Sequence, residues 1–332
     1  MNLQAYESAH STLALLDASA LTGRVFARGA DALDLLHRMS TNDLTPLFGK
    51  PGVGAQTLLT TEKGRIIDLL TVIVESDRAL LVTSRGTEQR VIEWLDKFVI
   101  MEDAKFEIAT ASISHILIFG QSALGYLSFE TGADLIALEN FHSLEVTIGS
   151  IAVRLQKSYR IIESGFSLFC DAKDTEALMI YLSEGIESLG GAVIDSDTFD
   201  TLRIEAGIPI APNELNEKHN PLETSLVHAV SFTKGCYIGQ EVIARLDSYD
   251  KVQRHMMGVQ LANQIDGAQI PIKVTSADGT EVGEVTSLTY SPKLSTSIGL
   301  AFIKTAFANP NSAVIVNGTS AQLIKLPFET ES

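Results

Sequence analysis

The chain has 332 residues, 45% of them apolar, two cysteines and a formal charge of -16 at pH 7. That length exceeds one ordinary hydrophobic core and calls for two or three domains, and the apolar fraction excludes a disordered or fibrous protein. The acidic balance excludes general nucleic-acid binding, which Lys and Arg drive by displacing counterions. Cys170 and Cys236 alone cannot supply the full ligand set of a structural zinc site or an iron-sulfur cluster, so no resident metal is expected.

In chain order, Met1 to Asp17 lacks a basic segment leading into an apolar stretch and a small-residue cleavage site, so no secretory signal is expected. Gly23 to Arg28 reads as a strand. After Gly29 the apolar residues Leu33, Leu35, Leu36 and Met39 recur at helical spacing, and Ser40-Thr41-Asn42-Asp43 ends that helix with turn formers. Gln56 to Thr61 and Arg65 to Glu75 read as strands, joined by the turn Thr61-Glu62-Lys63-Gly64. The longest apolar run, Ile66 to Val74, is broken by Asp68 and is far too short to span a bilayer, so a cytoplasmic protein without a membrane partner is expected. Ala79 to Ser84 adds a strand, and Thr87 to Val99 is an amphipathic helix carrying the only tryptophan, Trp94.

His115 to Leu124 then repeats the strand, glycine, helix order of Val25 to Leu33. Strand patterns follow at Leu144 to Thr147, Ile151 to Gln156, Arg160 to Ile162 and Phe166 to Cys170, and Thr175 to Leu189 forms another amphipathic helix. Strands covered by helices, twice over, predict an α+β pair of subdomains. Asp197 to Ala206 reads as a helix stopped by Gly207-Ile208-Pro209. Ile208 to Leu222, with Pro209, Pro212 and Pro221, reads as an irregular loop of a length that is uncommon unless the loop binds something. Beyond Asp250, short apolar stretches separated by Asn, Asp, Gly or Pro turns predict a small C-terminal β-barrel. The expected division is 1–110, 111–250 and 251–332.

One stretch stands out, Lys234-Gly235-Cys236-Tyr237-Ile238-Gly239-Gln240-Glu241. Val242, Ile243, Leu246 and Tyr249 behind it share one helical face, which places a helix start near Gly239 or Gln240. A thiol in the turn feeding that helix, with Lys234 nearby, reads as a stabilised thiolate; the alternative is a small apolar residue packed under a glycine turn. Gln240 and Glu241 have the residue types that cap helix N-H groups.

This motif, together with Leu202-Arg203-Ile204-Glu205-Ala206-Gly207 and Pro221-Leu222-Glu223, resembles the YgfZ family of folate-binding, iron-sulfur-related proteins. More distantly the chain is similar to the T-protein (aminomethyltransferase) of the glycine cleavage system, through Ser40 to Leu44 and Lys63 to Asp68 as well. The resemblance implies two ferredoxin-like α/β subdomains and the barrel in a ring around a central channel that takes tetrahydrofolate. It also implies a role in assembling or maintaining iron-sulfur proteins, with those proteins or their assembly factors as partners and Cys236 as the functional thiol. T-proteins carry two adjacent aspartates, where this chain has Asp68 followed by Leu69, and a pterin-gripping glutamate, where this chain has Ser167. A hydroxyl does not replace a carboxylate that accepts paired N-H groups.

The expected catalytic residues are therefore Cys236, Lys234 as the cation that lowers its pKa, and Asp68 facing a polar cavity rather than the strand's solvent face. Folate contacts are expected from Asp68, Arg203, Glu205, Tyr237 and Gln240. Arg203 and Glu205 equally suit structural salt bridges, and Tyr237 suits either stacking on a pterin or core packing. The functional expectation is a tetrahydrofolate-binding accessory protein for iron-sulfur enzymes; the alternative is a folate-dependent aminomethyltransferase using Asp68 as its acid-base group.

Overall fold

The structure is a computed structural model and describes residues 1–158, 165–249, 251–265 and 269–328. The strand expected over Arg160 to Ile162 lies outside the described residues. The chain forms two compact units: Met1–Thr60 with Ile67–Thr198 and His228–Ile238, and Thr61–Ile66 with Phe199–Val227 and Gly239–Ser332.

The first stretch supplies α1 (Leu3–Ser11), β1 (Ala14–Asp17), β2 (Thr22–Arg28), α2 (Ala32–Met39), β3 (Gly54–Thr60), β4 (Ile66–Val74), β5 (Ala79–Ser84), α3 (Glu88–Asp96) and β6 (Lys105–Ile108). It continues with β7 (Ile113–Phe119), α4 (Ala123–Thr131), β8 (Ser143–Ile148), β9 (Ile151–Ser158), β10 (Gly165–Asp171), α5 (Thr175–Ser188), β11 (Ala192–Val193) and α6 (Ser196–Glu205). A five-stranded sheet runs β3-β4-β5-β2-β6, and a six-stranded sheet runs β11-β1-β7-β10-β9-β8. Each is covered by a helix pair, as the repeated strand, glycine, helix order predicts.

Alternation along the strands explains why their sequences are so apolar. Val25 and Ala27 of β2 pack with Leu35, Leu36, Val91 and Leu95 of α2 and α3. Phe26, between them, points to the opposite face, where Ile73, Leu80 and Val82 meet Phe169 of the other sheet. The second sheet buries Ile116, Ile118 and Leu168 under Leu127, Leu178 and Leu182 of α4 and α5. The short strand β1 has no periodic signature of its own; it is held by antiparallel pairing with β7, Ala14 opposite Phe119, and parallel pairing with β11.

In the second unit, α7 (Gln240–Ser248) begins where the sequence placed it, after Gly239 in the left-handed region at φ +83. The barrel consists of β12 (Arg254–Leu261), β13 (Ile272–Thr275), β14 (Glu281–Ser291), β15 (Thr296–Lys304), β16 (Ala313–Val316) and β17 (Thr319–Ile324). It closes in the order β12-β15-β14-β13-β16-β17, which leaves no strand edge unpaired. Val259, Val274, Val285, Ala301 and Leu323 fill its interior. The molecule is thus a mixed α/β protein with two α/β subdomains and a closed C-terminal barrel. Among the described residues no helix is long and apolar enough to cross a membrane.

Candidate functional site

The Cys236 loop belongs to the first unit, where residues 228–238 lie on the end of α2 and on β3. Thr41 is wholly buried; its hydroxyl donates to Ala229 O, and Ser231 N donates to Thr41 O at 2.9 Å. The Thr60 hydroxyl donates to Ile238 O at 2.7 Å, and the Ile238 side chain packs on the core beneath α2. Tyr237 is buried, and burial pushes its phenol up to about 12. Between these fixed points Cys236 is exposed as a free thiol, whereas Cys170 is buried and its thiol is pushed up to about 11 by desolvation.

The Lys234 side chain reaches the end of α2. Its Nζ donates to His37 O, to Ser40 O at 2.9 Å and to Asn42 O at 2.7 Å, the carbonyls at and just beyond the C-terminal end of α2. A helix C-terminus presents unpaired carbonyls and the negative end of the dipole, so a cation is stabilised there. The same ammonium lies 5.3 Å from the Tyr237 ring centroid. Burial pulls its pKa down to about 8, against the opposing charge of Asp43. The geometry joins Lys234 to α2 and to Tyr237 through contacts that need no thiolate.

Around this loop lies a polar set that joins Asn42 of the Ser40–Asp43 turn to His228, Gln56 and Thr71. Asn42 Nδ2 donates to Gln56 O at 2.7 Å, Gln56 Nε2 to Thr71 Oγ1 at 3.1 Å, and His228 Nε2 is 2.9 Å from Gln56 Oε1. Asn42, Gln56 and Thr71 are half-buried and His228 is exposed. Their partners lie about 15 to 170 residues apart in the chain, so no local spacing brings them together.

Asp68 is in the same unit but does not face open space. It is 0% exposed, and its carboxylate accepts from Ser84 N at 3.0 Å, from Leu69 N at 2.9 Å, and from the Ser84 and Thr87 hydroxyls. Burial raises its pKa while these donors oppose the rise. The expected polar cavity is replaced by the turn from β5 into α3, whose donors converge on the carboxylate. Ser167 is likewise committed: its hydroxyl lies 3.0 Å from His115 Nε2, and His115 Nδ1 lies 3.0 Å from the Thr22 hydroxyl. That relay joins β10, β7 and β2 inside the unit.

Arg203 and Glu205 sit in the second unit, at the end of α6. Arg203 is 1% exposed; it donates to Asp200 at 2.7 Å, to Ile208 O at 3.2 Å, to Glu214 at 3.3 Å and to the Ser287 hydroxyl at 2.8 Å. Glu214, wholly buried, also accepts from the Thr286 and Ser287 hydroxyls and from Ile210 N. Glu205 accepts from the Ser291 hydroxyl at 2.6 Å. These contacts fasten α6 to strand β14. Glu214 was missed because an acid among prolines and asparagines carries no local mark. Gln240 opens α7 in this unit. The irregular loop after α6 is held by such contacts and borders a cavity of about 140 Å³ with Asn213, Asn216, Lys218, His219, Glu284 and Thr286 in its wall.

Comparison with known proteins bears on both units. The GCVT N-terminal domain matches residues 3–234, and the glycine cleavage T-protein C-terminal barrel domain matches residues 244–328. An aminomethyltransferase of Geobacillus kaustophilus is 30% identical over 97% of this chain and 89% of its own length. One from Symbiobacterium thermophilum is 29% identical over 98% of this chain and 88% of its own length. The crystal structure of glycine cleavage system aminomethyltransferase T from Bartonella henselae superposes with a TM-score of 0.84 at 19% identity, covering 98% of this chain and 89% of that one. That likeness carries the fold.

Proposed function

The chain belongs to the glycine cleavage T-protein family, and on that premise we propose that it binds tetrahydrofolate and acts as a folate-dependent transferase of the aminomethyltransferase type. Tetrahydrofolate is the family's cofactor. The observation that carries this reading is the match of both the N-terminal domain and the barrel, with relatives named aminomethyltransferase aligned over nearly the whole chain. The folate would supply the one-carbon acceptor. Asn42, Gln56, Thr71 and His228 offer amide, hydroxyl and imidazole groups suited to the polar edge of a pterin. Asp68 and Ser167 do not fit a carboxylate grip on that edge, because both are buried and bonded inside the fold, Asp68 0% and Ser167 5% exposed. As an acid-base group Asp68 would first have to be uncovered from Ser84 and Thr87.

One observation favours a second reading. Cys236 is an exposed free thiol on a fixed loop, within the motif that carries the resemblance to the YgfZ family. In this reading the chain is of the YgfZ type: a folate-binding accessory factor for iron-sulfur enzymes, with Cys236 meeting those enzymes or their assembly factors. It would work in the cytoplasm, where the reducing environment keeps such a thiol free.

Calorimetric titration with tetrahydrofolate, followed by turnover of an aminomethyl-loaded donor protein, separates the readings. Saturable binding with turnover supports the transferase. Binding without turnover, together with loss of iron-sulfur enzyme activities in cells carrying Cys236→Ala, supports the accessory role. Absence of binding overturns both.

A further inference from the structure

The Lys234 geometry calls for a reassignment of that residue. An ammonium has three N-H donors, and three carbonyls, His37 O, Ser40 O and Asn42 O, accept from this one. They belong to the end of α2 and the turn beyond it, a segment almost two hundred positions earlier in the chain. His37 and Asp43, which interact electrostatically with the ammonium, come from that same segment. On the loop side, Lys234 N donates to the Ser231 hydroxyl at 3.2 Å, and Ser231 N donates to Thr41 O, so backbone and side chain of one residue span both segments. Thr41 adds a parallel tie through Ala229 O, and its hydroxyl also accepts from Leu58 N at 3.1 Å. After the thiol, Tyr237 is buried and Ile238 O is held by Thr60. The loop is therefore anchored at 229, 231, 234, 237 and 238, and Cys236 stands exposed between those anchors.

We infer that Lys234 is a positioning residue for Cys236: its ammonium staples the 228–238 loop to the C-terminal end of α2, so the thiol is presented from a fixed backbone. Its cationic charge is complemented by helix carbonyls, and its contribution runs through loop geometry rather than through thiol ionisation. This rests on the reading of Cys236 as a functional thiol only for its consequence in cells; the staple itself is tested independently of that reading.

The test uses the full chain with Lys234→Met, Lys234→Arg and Thr41→Val. The last keeps the cation and removes the parallel tie. Far-UV circular dichroism selects folded protein. Two quantities are read: amide exchange over residues 229–238, and the pH midpoint of Cys236 alkylation by iodoacetamide, with Cys170 shielded by burial. Lys234→Met and Thr41→Val are each expected to speed loop exchange by about tenfold or more, with Lys234→Arg between them and wild type, since charge-assisted bonds to backbone are the stronger kind. The alkylation midpoint is expected to stay put in all three variants. A rise of about one pH unit or more in Lys234→Met, with loop exchange unchanged, would overturn the assignment and restore the electrostatic role. In cells, Lys234→Met and Thr41→Val should share the defect of Cys236→Ala. If Cys236→Ala shows no defect, the accessory reading fails while the exchange data still decide the staple.

Discussion

His115 should make the first unit sensitive to acid. Its ring is 5% exposed, stacks on Phe169 at 4.6 Å between centroids, and sits between the Thr22 and Ser167 hydroxyls at 3.0 Å each. Neutral imidazole has one donor and one acceptor nitrogen, which the two hydroxyls match by rotating. Burial, with some help from Arg24, pulls its pKa from 6.5 down to about 3. In the unfolded chain the ring gains a proton as pH falls through 6.5, whereas in the folded chain it stays neutral until about 3. The unfolded state binds more protons in that window, so the contribution to stability is complete above 6.5 and is lost as pH falls towards 3. At about 1.4 kcal/mol per pH unit, going from pH 6.5 to pH 4 costs about 3 kcal/mol from this residue alone. Carboxylates titrate in the same range, so the informative quantity is the difference between wild type and His115→Gln. Urea unfolding followed by Trp94 fluorescence reports on the unit that contains both residues. At pH 7.5 the variant should be less stable, having lost the stacked ring. Between pH 7.5 and pH 4 the gap should shrink or reverse by about 3 kcal/mol. Parallel pH dependences for the two proteins would refute the argument, because they would mean that His115 carries the same charge in both states.

Two further substitutions probe the groups that the sequence placed at a ligand. Asp68→Ala leaves Ser84 N, Leu69 N and the Ser84 hydroxyl without their buried acceptor, while the Thr87 hydroxyl keeps Ser84 O, and should cost about 3 kcal/mol or more in the same Trp94 assay; a loss below about 1 kcal/mol would show that the carboxylate does not hold the turn. Arg203→Met strips the wholly buried Glu214 of its cation and should cost about 3 to 5 kcal/mol, read by calorimetric unfolding of the barrel unit. Adding Glu214→Gln should recover part of that loss, and a double variant no more stable than the single one would argue against the ion pair as the cause.

Local pattern was enough for much of this protein. Helical spacing marked α2, α3 and α5, alternation and turn residues marked β3 to β5 and most of the barrel, and Gly239 marked the start of α7, because these signals act within one or two turns of chain. The more distant of the two resemblances, to the T-protein, is the one the family matches bear out, and the single Asp68 and the serine at 167 were visible as departures from its pattern. Short elements were missed: β1 and β17 are strands because of their partners, and α1 has little beyond an Asn2 cap to announce it. The destinations of charged side chains were also out of reach. Lys234 lies two residues from Cys236 in sequence, yet its ammonium is held by α2 carbonyls; Asp68 sits in an apolar run because Ser84 and Thr87 fold over it; Arg203 and Glu205 find acceptors and donors on the barrel side of their own unit. A residue type states what a group is able to bond. Only the tertiary fold decides which distant donors and acceptors reach it, since those contacts are set by chain segments that no local window contains.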